Sequence, residues 1–342
     1  MQRMSKRWSL VLLVLIGLGL GMAPKTVHAD QITTSEQRQI KSLRQRYGQL
    51  SHQAYDESNS YQTKPQFKTK LQPGKLTSRY QDQLLAYLNF YRSLAALPAV
   101  RYGLNTTAQA QTAAADMAAA NGFSHGLKGL KRPGYVTKAQ WQTGQQVTMN
   151  SNIGEMNVPE RLDATMGNYV RDNFNVEGNN TGHRAWLLSP IIHTVGIGVA
   201  YKPQATFAYS DIYFADQSDD QRSIVPNRAQ VINYPTAGVF PSELLKTKVP
   251  SRPVYWSSNF TVTQKATGTV KVTVTDLTTN KRMTAKNVHL DQNQHFGHFA
   301  SILTYRPAGP VTDGHHYQVK VTGLSQYPKG YQYSFLAFSL AN

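Results

Sequence analysis

The chain has 342 residues, 40% of them hydrophobic, and a formal net charge of +17 at pH 7. This length suggests two domains, and the composition is that of a globular protein rather than a fibrous or tail-like one. The sequence contains no cysteine, which excludes a disulfide framework, a cysteine nucleophile and a thiolate metal site.

Residues 1–29 have the pattern of a secretory signal peptide. Three cations precede an apolar run from Leu10 to Leu20, and Val27-His28-Ala29 resembles a cleavage site. We therefore expect the exported chain to begin at Asp30, and the alternative is a membrane anchor that stays attached. No later segment is apolar enough to cross a bilayer. The expected location is secreted, either extracellular or loosely associated with the cell surface.

Loss of the signal peptide removes four cations and no acid, so the formal net charge falls from +17 to +13. A secreted basic protein meets anionic polymers of the cell envelope, and long-range attraction to them requires no specific pocket. Nucleic acid is the competing partner for such charge, but the sequence has no zinc-finger spacing, RNP motif or basic helix, and its cations are scattered. The expected partners are anionic cell-envelope polymers or a small apolar ligand, without specific nucleic acid.

The first part of the exported chain, residues 30–75, is a polar arm. It contains a predicted helix from Thr34 to about Gln49 and is otherwise typical of a spacer or a loosely attached segment. Three helices are predicted after the arm, from Ser78 to Pro98, from Asn105 to Ala120 and from Pro159 to about Asn173. Strands are predicted at Val195–Ala200 and Thr206–Phe214. Helices followed by strands indicate an α+β layered fold.

The sequence changes character after residue 225, where short β-branched and aromatic segments alternate with turn signals. These segments are residues 255–262, 269–275, 317–321 and 331–338. The pattern predicts an immunoglobulin-like β-sandwich over residues 242–342, preceded by a linker over residues 217–241. Because no acid spacing supports a metal site, four histidines of this region are interpreted as turn residues. They are His295, His298, His315 and His316.

Three short motifs are the candidates for a functional site. Gly182-His183-Arg184 opens a short apolar helix just ahead of a predicted strand. His125 follows the end of the alanine-rich helix in a predicted loop, and Glu155 lies in a second predicted loop, Asn152–Asn157. We expect the two histidines and one or two acids to converge on one cleft.

Together with Asn89-Phe90-Tyr91-Arg92 and the alanine-rich helix, these motifs resemble the CAP superfamily. Its SCP domain occurs in cysteine-rich secretory proteins and in many bacterial proteins. The resemblance covers roughly residues 78–216, and we place the domain at residues 76–216. It implies an α-β-α sandwich with a central cleft that two histidines and two acids line. The expected fold class is thus α+β, a CAP fold followed by the β-sandwich.

By motif, the resemblance assigns His125 and His183 as the two cleft histidines and Glu155 as the first acid. Met156 stands where the family motif commonly has Asn. For the second acid, the resemblance nominates Asp172, at the end of an aromatic-x-x-acid step, and Glu177 is the alternative. Residues Asn89, Arg92, Arg184 and Trp186 are expected to pack or pair structurally.

Two neutral imidazoles supply two ligands to a divalent metal such as Zn²⁺, while carboxylates complete the shell or orient the imidazole N–H groups. Such a site is expected to bind metal modestly, and more weakly below neutral pH, because a protonated imidazole has no lone pair to give.

The leading functional hypothesis is a binding or interaction module that acts at the cell envelope or in the medium. The alternative is a metal-assisted hydrolase, in which Glu155 is the general base on a water held between His125 and His183. A third hypothesis is an inert CAP core that serves as a structural spacer.

Overall fold

The computed structural model describes residues 31–175, 180–201, 206–214, 230–261, 265–293 and 295–341. The predicted signal peptide and Glu177 lie outside the described residues. Within the described residues, no helix combines the length and the apolar character needed to span a bilayer.

The described residues form six α-helices. They are α1 Thr34–Gly48, α2 Ser78–Leu94, α3 Leu104–Ala120, α4 Lys138–Thr148, α5 Leu162–Arg171 and α6 Gly182–Leu187. The helix α2 begins as predicted, because the Thr77 hydroxyl oxygen accepts a hydrogen bond from the Tyr80 backbone N–H at 3.2 Å. The helix α3 ends at Asn121, whose φ of 55° is the expected left-handed stop. The sequence pattern did not indicate α4, which opens with a Thr137/Gln140 capping box.

The described residues also form seventeen strands. They are β1 Ala54–Tyr55, β2 Tyr61–Thr63, β3 Lys75–Leu76, β4 Arg101–Tyr102, β5 Ser151–Asn157, β6 Glu160–Arg161, β7 Thr194–Tyr201, β8 Phe207–Tyr213, β9 Val231–Tyr234, β10 Gly238–Pro241, β11 Trp256–Phe260, β12 Lys271–Asp276, β13 Lys281–Thr284, β14 Lys286–Asp291, β15 Ser301–Arg306, β16 His316–Thr322 and β17 Tyr331–Phe338.

A four-stranded sheet in the order β4-β7-β8-β5 forms the centre of the first half of the chain. The helix α3 lies directly against β7, and a Cβ added to Gly198 would come within 2.2 Å of the Ala110 carbonyl oxygen. On the opposite face, the Tyr169 hydroxyl group of α5 contacts the Ser210 hydroxyl group of β8 at 2.7 Å. Because helices cover both faces, every residue of β7 is buried. The α+β class is therefore confirmed.

The strand β5 corrects one expectation. Its residues were expected to form a loop, yet they pair with β8 over their whole length, from Ser151 opposite Tyr213 to Asn157 opposite Phe207. The strand lies at the edge of the central sheet.

The C-terminal strands form two further sheets, in the orders β10-β17-β16-β12-β13 and β14-β15-β11-β9. Their inner faces pack together, with the Trp256 and Phe335 rings 5.5 Å apart and the Tyr305 and Tyr333 hydroxyl oxygens 3.1 Å apart. This arrangement is consistent with a β-sandwich. The strands β9 and β10 lie within residues 217–241, the stretch predicted as a linker, and each pairs with a strand of these sheets.

The polar arm is packed against the rest of the molecule, in contrast to the loose attachment expected. The helix α1 buries Ile40 and Leu43. At one end of the contact, the Arg46 Nη2 donates to the Ser93 Oγ at 2.7 Å, and at the other the Arg44 Nε donates to the Ser339 carbonyl oxygen at 2.9 Å. The helix therefore bridges the end of α2 and the C-terminal sandwich.

A buried carboxyl group also ties the arm to the central sheet. Glu160, which lies opposite Tyr55 in the β1–β6 pair, accepts hydrogen bonds from the hydroxyl groups of Tyr80, Thr165 and Tyr201. Burial raises the pKa of Glu160, although these three donors oppose the rise. The Tyr201 hydroxyl group also contacts the Ser60 hydroxyl group at 2.9 Å.

Candidate functional site

His183 is positioned by a carboxylate from the end of the preceding helix. Its Nδ1 lies 2.9 Å from the Asp172 Oδ1, and the Tyr169 ring packs edge-on at 5.2 Å between ring centres. In the neutral ring, Nδ1 must carry the proton because a carboxylate only accepts. The lone pair is then on Nε2, and 19% of the His183 side chain is exposed. The ring is therefore oriented with Nε2 as its available acceptor, to which no described residue is hydrogen-bonded.

Asp172 orients its neighbours. Its Oδ2 accepts the Arg184 backbone N–H at 3.1 Å, and its side chain is fully buried. With one oxygen bound to His183 and the other to the first turn of α6, Asp172 has no exposed oxygen for a ligand. Of the two alternatives for the second acid, the structure brings Asp172 to His183, and Glu177 lies outside the described residues.

The His125 ring is also held through its Nδ1, by a backbone carbonyl group at the end of α4. It opens a short 3₁₀ turn, His125–Leu127, and its Nδ1 lies 2.5 Å from the Thr148 carbonyl oxygen. Because a carbonyl oxygen only accepts, Nδ1 also carries the proton when this ring is neutral, and no described residue is hydrogen-bonded to Nε2. Gly126, with φ of +68°, makes the tight turn possible and donates its N–H to the Thr148 Oγ1 at 3.0 Å.

Both histidines are held by the junction of α4 and β5. Thr148, the last residue of α4, binds the His125 ring, and four residues later the Asn152 Nδ2 donates to the His183 carbonyl oxygen at 2.8 Å. The two motifs, 58 positions apart in sequence, are thus anchored at the same end of the same edge strand.

Glu155 does not contact either histidine among the described residues. Side chains alternate along a strand, so Glu155 shares a face of β5 with Ile153, while Asn152 and Gly154 point to the other. Ile153 packs with the cluster of α3 and α4, whereas a Cβ on Gly154 would lie 2.9 Å from the Tyr169 hydroxyl group. Glu155 therefore lies on the face of β5 opposite to Tyr169 and to the Asn152 amide that holds His183.

Glu155 is instead linked to the His125 side through aromatic residues. It is exposed and lies opposite Tyr209 in the β5–β8 ladder. Burial, with a smaller contribution from the Glu155 charge, raises the pKa of Tyr209 to about 12. The Tyr209 ring lies 6.4 Å from the Phe123 ring, two residues before His125. Next to His125, Met149 is 51% exposed, and an added Cβ on Gly126 would lie 3.0 Å from its sulfur.

The described residues do not fit a multidentate metal centre. No group of three or more His, Asp or Glu side chains in the described ranges is arranged to hold a metal ion. Among the described residues of this site, the two Nε2 atoms remain as metal ligands, because both oxygens of Asp172 are hydrogen-bonded and Glu155 faces away from His183. A zinc site normally has three or four protein ligands.

The four residues expected to have structural roles have them. The Asn89 amide pairs with both backbone groups of Val100 at 2.9 and 2.8 Å. Buried Arg92 donates to the carbonyl oxygens of Leu187 and Ser189. Trp186 stacks on Phe214 at 5.6 Å. The contacts of Arg92 and Trp186 hold the C-terminal end of α6 in place.

Arg184 joins the two halves of the molecule. Its guanidinium group donates to the carbonyl oxygens of Val170 and Arg171 at 2.6 Å each, and to the Ser257 Oγ of β11 at 3.3 Å. The same group lies 3.7 Å above the Tyr234 ring. Arg184 is fully buried, and this burial lowers its pKa.

The sandwich also supports the start of α6, a contact that sequence patterns did not indicate. Gly297, with φ of +63°, approaches so closely that a Cβ there would lie 2.2 Å from the Ala185 carbonyl oxygen. The Phe296 ring would lie 3.4 Å from a Cβ on Gly182, and His298 packs edge-on against Trp186 at 5.1 Å. The helix that carries His183 is therefore packed between α5 and the C-terminal sandwich.

The adjacent histidines of the sandwich are not simply turn residues. The His315 Nδ1 lies 2.8 Å from the Asp276 Oδ2, and the His316 Nε2 lies 2.9 Å from the Glu36 Oε1 of α1. The interpretation of His316 as a turn residue is wrong, because it begins β16 and is buried. Each imidazole has its own acid, brought from a distant part of the chain.

Comparison with known proteins identifies the central region. Residues 85–215 match the CAP family, described as the Cysteine-rich secretory protein family. Among solved structures, an extracellular protein containing a SCP domain from Bacillus anthracis str. Ames is similar, with 21% identity and a TM-score of 0.26. That match covers 41% of this chain and 45% of that one, so it spans less than half of the other protein's length. The search of curated proteins gave no match.

The family match coincides with the region that was expected from the motifs. It includes His125, Glu155, Asp172 and His183, together with α3, α4 and the central sheet. The chain therefore carries a domain of the CAP superfamily.

Proposed function

We propose that this protein is exported and acts at the cell envelope or in the extracellular medium as a binding module. In this proposal the CAP domain holds its ligand beside the edge strand β5, where His125 and His183 are anchored. The main support is the matched arrangement of the two rings, each with Nδ1 bound to an acceptor and Nε2 without a hydrogen-bond partner among the described residues. The signal-like residues 1–29 and the basic charge support the location.

The chemistry of the site favours a ligand with hydrogen-bond donors and an apolar part. A neutral imidazole accepts a hydrogen bond at Nε2. Beside His125, the half-buried Phe123 ring, which packs on buried Tyr209, and the exposed Met149 side chain provide apolar contact. Binding sites commonly combine such apolar walls with a few fixed polar groups. A small amphipathic molecule of the envelope matches this combination.

A divalent metal such as Zn²⁺ is a separate part of the proposal, and no step depends on it. Two imidazoles alone give a weak site that waters complete. Calorimetric titration of the protein with Zn²⁺ at pH 7.5 tests this, and the expected heat disappears in His125→Ala and His183→Ala. Full retention of binding in both variants would reject these residues as ligands.

The hydrolase alternative has less support than the binding role. It requires Glu155 to act on a water held between the two histidines, whereas β5 points Glu155 away from the side that holds His183. Turnover of peptide, ester or cell-wall substrates that is lost in Glu155→Gln would favour the enzyme instead.

Co-sedimentation with isolated bacterial envelopes tests the binding role. At high salt, which screens charge-driven attachment to the envelope, we expect His125→Ala combined with His183→Ala to reduce the bound fraction at least about fivefold. His289→Ala is the matched control, because this histidine is exposed on β14. Unchanged binding of the double variant would overturn the role of the cleft.

The immunoglobulin-like class of the C-terminal sandwich belongs to the same proposal. It rests on the two packed sheets, in which antiparallel pairs dominate and the edge strand β10 runs parallel to β17.

A further inference from the structure

A groove with polar and apolar walls runs along α1, with a volume of about 350 Å³, and none of its lining residues belongs to the candidate site of His125 and His183. We call it the α1 groove. Its lining residues are Arg38, Gln39, Ser42, Leu43, Arg46, Ser93, Leu94, Ala237 and Val239. None of these nine residues is acidic, and two are arginines. The groove therefore presents positive charge with no compensating anion in its own walls.

The helix α1 concentrates cations, which corrects the expectation that the basic residues are scattered. Four of its fifteen residues are Arg or Lys, and Glu36 is its one acid. The Glu36 carboxylate is engaged elsewhere, because it accepts hydrogen bonds from Thr33 at the helix start and from His316. Among the described residues, Arg38 and Arg46 form no ion pair and both are exposed.

The two arginines stand in a row along one side of α1. Arg38, Ser42 and Arg46 are spaced four residues apart, which places them on the same side of the helix and spreads the row over about 12 Å. Arg46 is already ordered, since its Nη2 donates to the Ser93 Oγ at 2.7 Å while its other nitrogens have no carboxylate partner among the described residues. The Ser42 hydroxyl group and the Gln39 amide group also line the groove.

We propose that the α1 groove binds a linear phosphodiester polymer. Guanidinium groups bind phosphate oxygens in a bidentate geometry, and the hydroxyl and amide groups in the walls suit a polar repeating unit. A row of about 12 Å suits successive charges of an extended chain better than one compact anion. The net charge of +13 after signal removal attracts such a polymer over long range. This proposal shares with the proposed function only the location outside the cytoplasm.

The test measures binding of the full exported chain to purified poly(glycerol phosphate) by calorimetry at low salt. Arg38→Gln combined with Arg46→Gln is expected to weaken binding at least about tenfold. It also lowers the slope of log Kd against log salt by about 2, since each lost contact removes about one unit. The matched control is Lys281→Gln combined with Lys286→Gln, which removes the same charge from exposed positions of the sandwich.

Equal weakening in the two double variants overturns the proposal, because it shows that only net charge matters. Glycerol phosphate monomer that competes as well as the polymer at equal phosphate concentration also overturns it, since it indicates a compact anion site. Arg38→Gln alone leaves the Arg46–Ser93 bond intact and is expected to weaken binding at least about threefold without a change in thermal stability. His125→Ala with His183→Ala is expected to leave this binding unchanged, which separates the groove from the CAP cleft.

Discussion

The carboxyl group of Asp172 shows how one side chain prepares a site without being exposed in it. It accepts the Nδ1–H of His183 with one oxygen and the backbone N–H of Arg184 with the other. The same residue ends α5 in a left-handed conformation, with φ of 54°. The turn, the helix start and the imidazole orientation therefore depend on a single residue. When one partner of a buried charged pair of this kind is removed, the other charge stays buried without compensation, and the fold loses much of its stability.

Asp116 is the opposite case, a buried carboxyl group without a partner. It lies between α3 and α4, fully buried, and neither oxygen has a hydrogen-bond partner among the described residues. Its Oδ2 occupies the space above Gly144, where an added Cβ would come within 2.3 Å. Burial raises the pKa of Asp116 to about 7 from an ordinary value of 3.8. The folded protein therefore holds a proton here that the unfolded chain releases.

Asp116→Asn is expected to change the pH dependence of stability. Between about pH 4 and pH 7 the folded state binds more protons at Asp116 than the unfolded state, so stability falls as pH rises and then levels off. The rise in pKa corresponds to about 4 kcal/mol at most. Urea unfolding should show the variant close to wild type at pH 4.5 and more stable at pH 8. Glu57→Gln, at an exposed position, is the control. A difference that does not vary with pH would contradict this account.

Among the elements, every described helix except α4 was predictable, and the edge strand β5 was not. The helix α2 has apolar spacing and a Thr77 cap, and α3 has a left-handed stop at Asn121, so local sequence is enough. The segment of β5 is interrupted by Gly154 and polar residues. It becomes a strand because β8, more than fifty residues later, pairs with it. Long-range pairing of this kind leaves no local signal.

The same reasoning applies to the candidate site. The motifs located His125 and His183 because a histidine after a helix stop and one at a helix start are visible in sequence. The position of Glu155 relative to the two histidines was not predictable, since it depends on which face of β5 this residue occupies. The role of the sandwich was also not visible, because Gly297 shows only that a turn is present and not that Ala185 lies against it.

Gly297→Ala tests whether the sandwich supports α6. The added Cβ would collide with the Ala185 carbonyl oxygen and also strain a backbone with positive φ. We expect a loss of about 2–4 kcal/mol in unfolding free energy, from overpacking and strain together. Gly314→Ala is a matched control, since φ is +80° there and no atom lies within 4 Å of the new Cβ. The control should cost about 1 kcal/mol. Equal losses in urea unfolding would show that the α6 contact is unimportant.

At the scale of the whole molecule, the arm, the CAP domain and the sandwich form one connected structure. The helix α1 contacts both larger parts through Arg46 and Arg44, and Glu160 joins β6 to α2 and the central sheet. Arg184 then connects α5 and α6 to β9 and β11. The polar average composition of the arm predicted loose attachment. The prediction failed because a few apolar and tyrosine side chains are enough to attach the arm.

Unfolding of the full chain should therefore be cooperative, and Arg184→Met should weaken that cooperativity. Methionine preserves length and apolar contact, but the carbonyl oxygens of Val170 and Arg171 lose their donors while the charge above Tyr234 disappears. Breaking a buried charged network typically costs about 3–5 kcal/mol. In differential scanning calorimetry, wild type should show one transition, and the variant should show a lower or divided one. Arg282→Met, at an exposed position of β13, should leave the single transition in place. Two separate transitions already present in wild type would mean that the buried guanidinium does not couple the CAP domain to the sandwich.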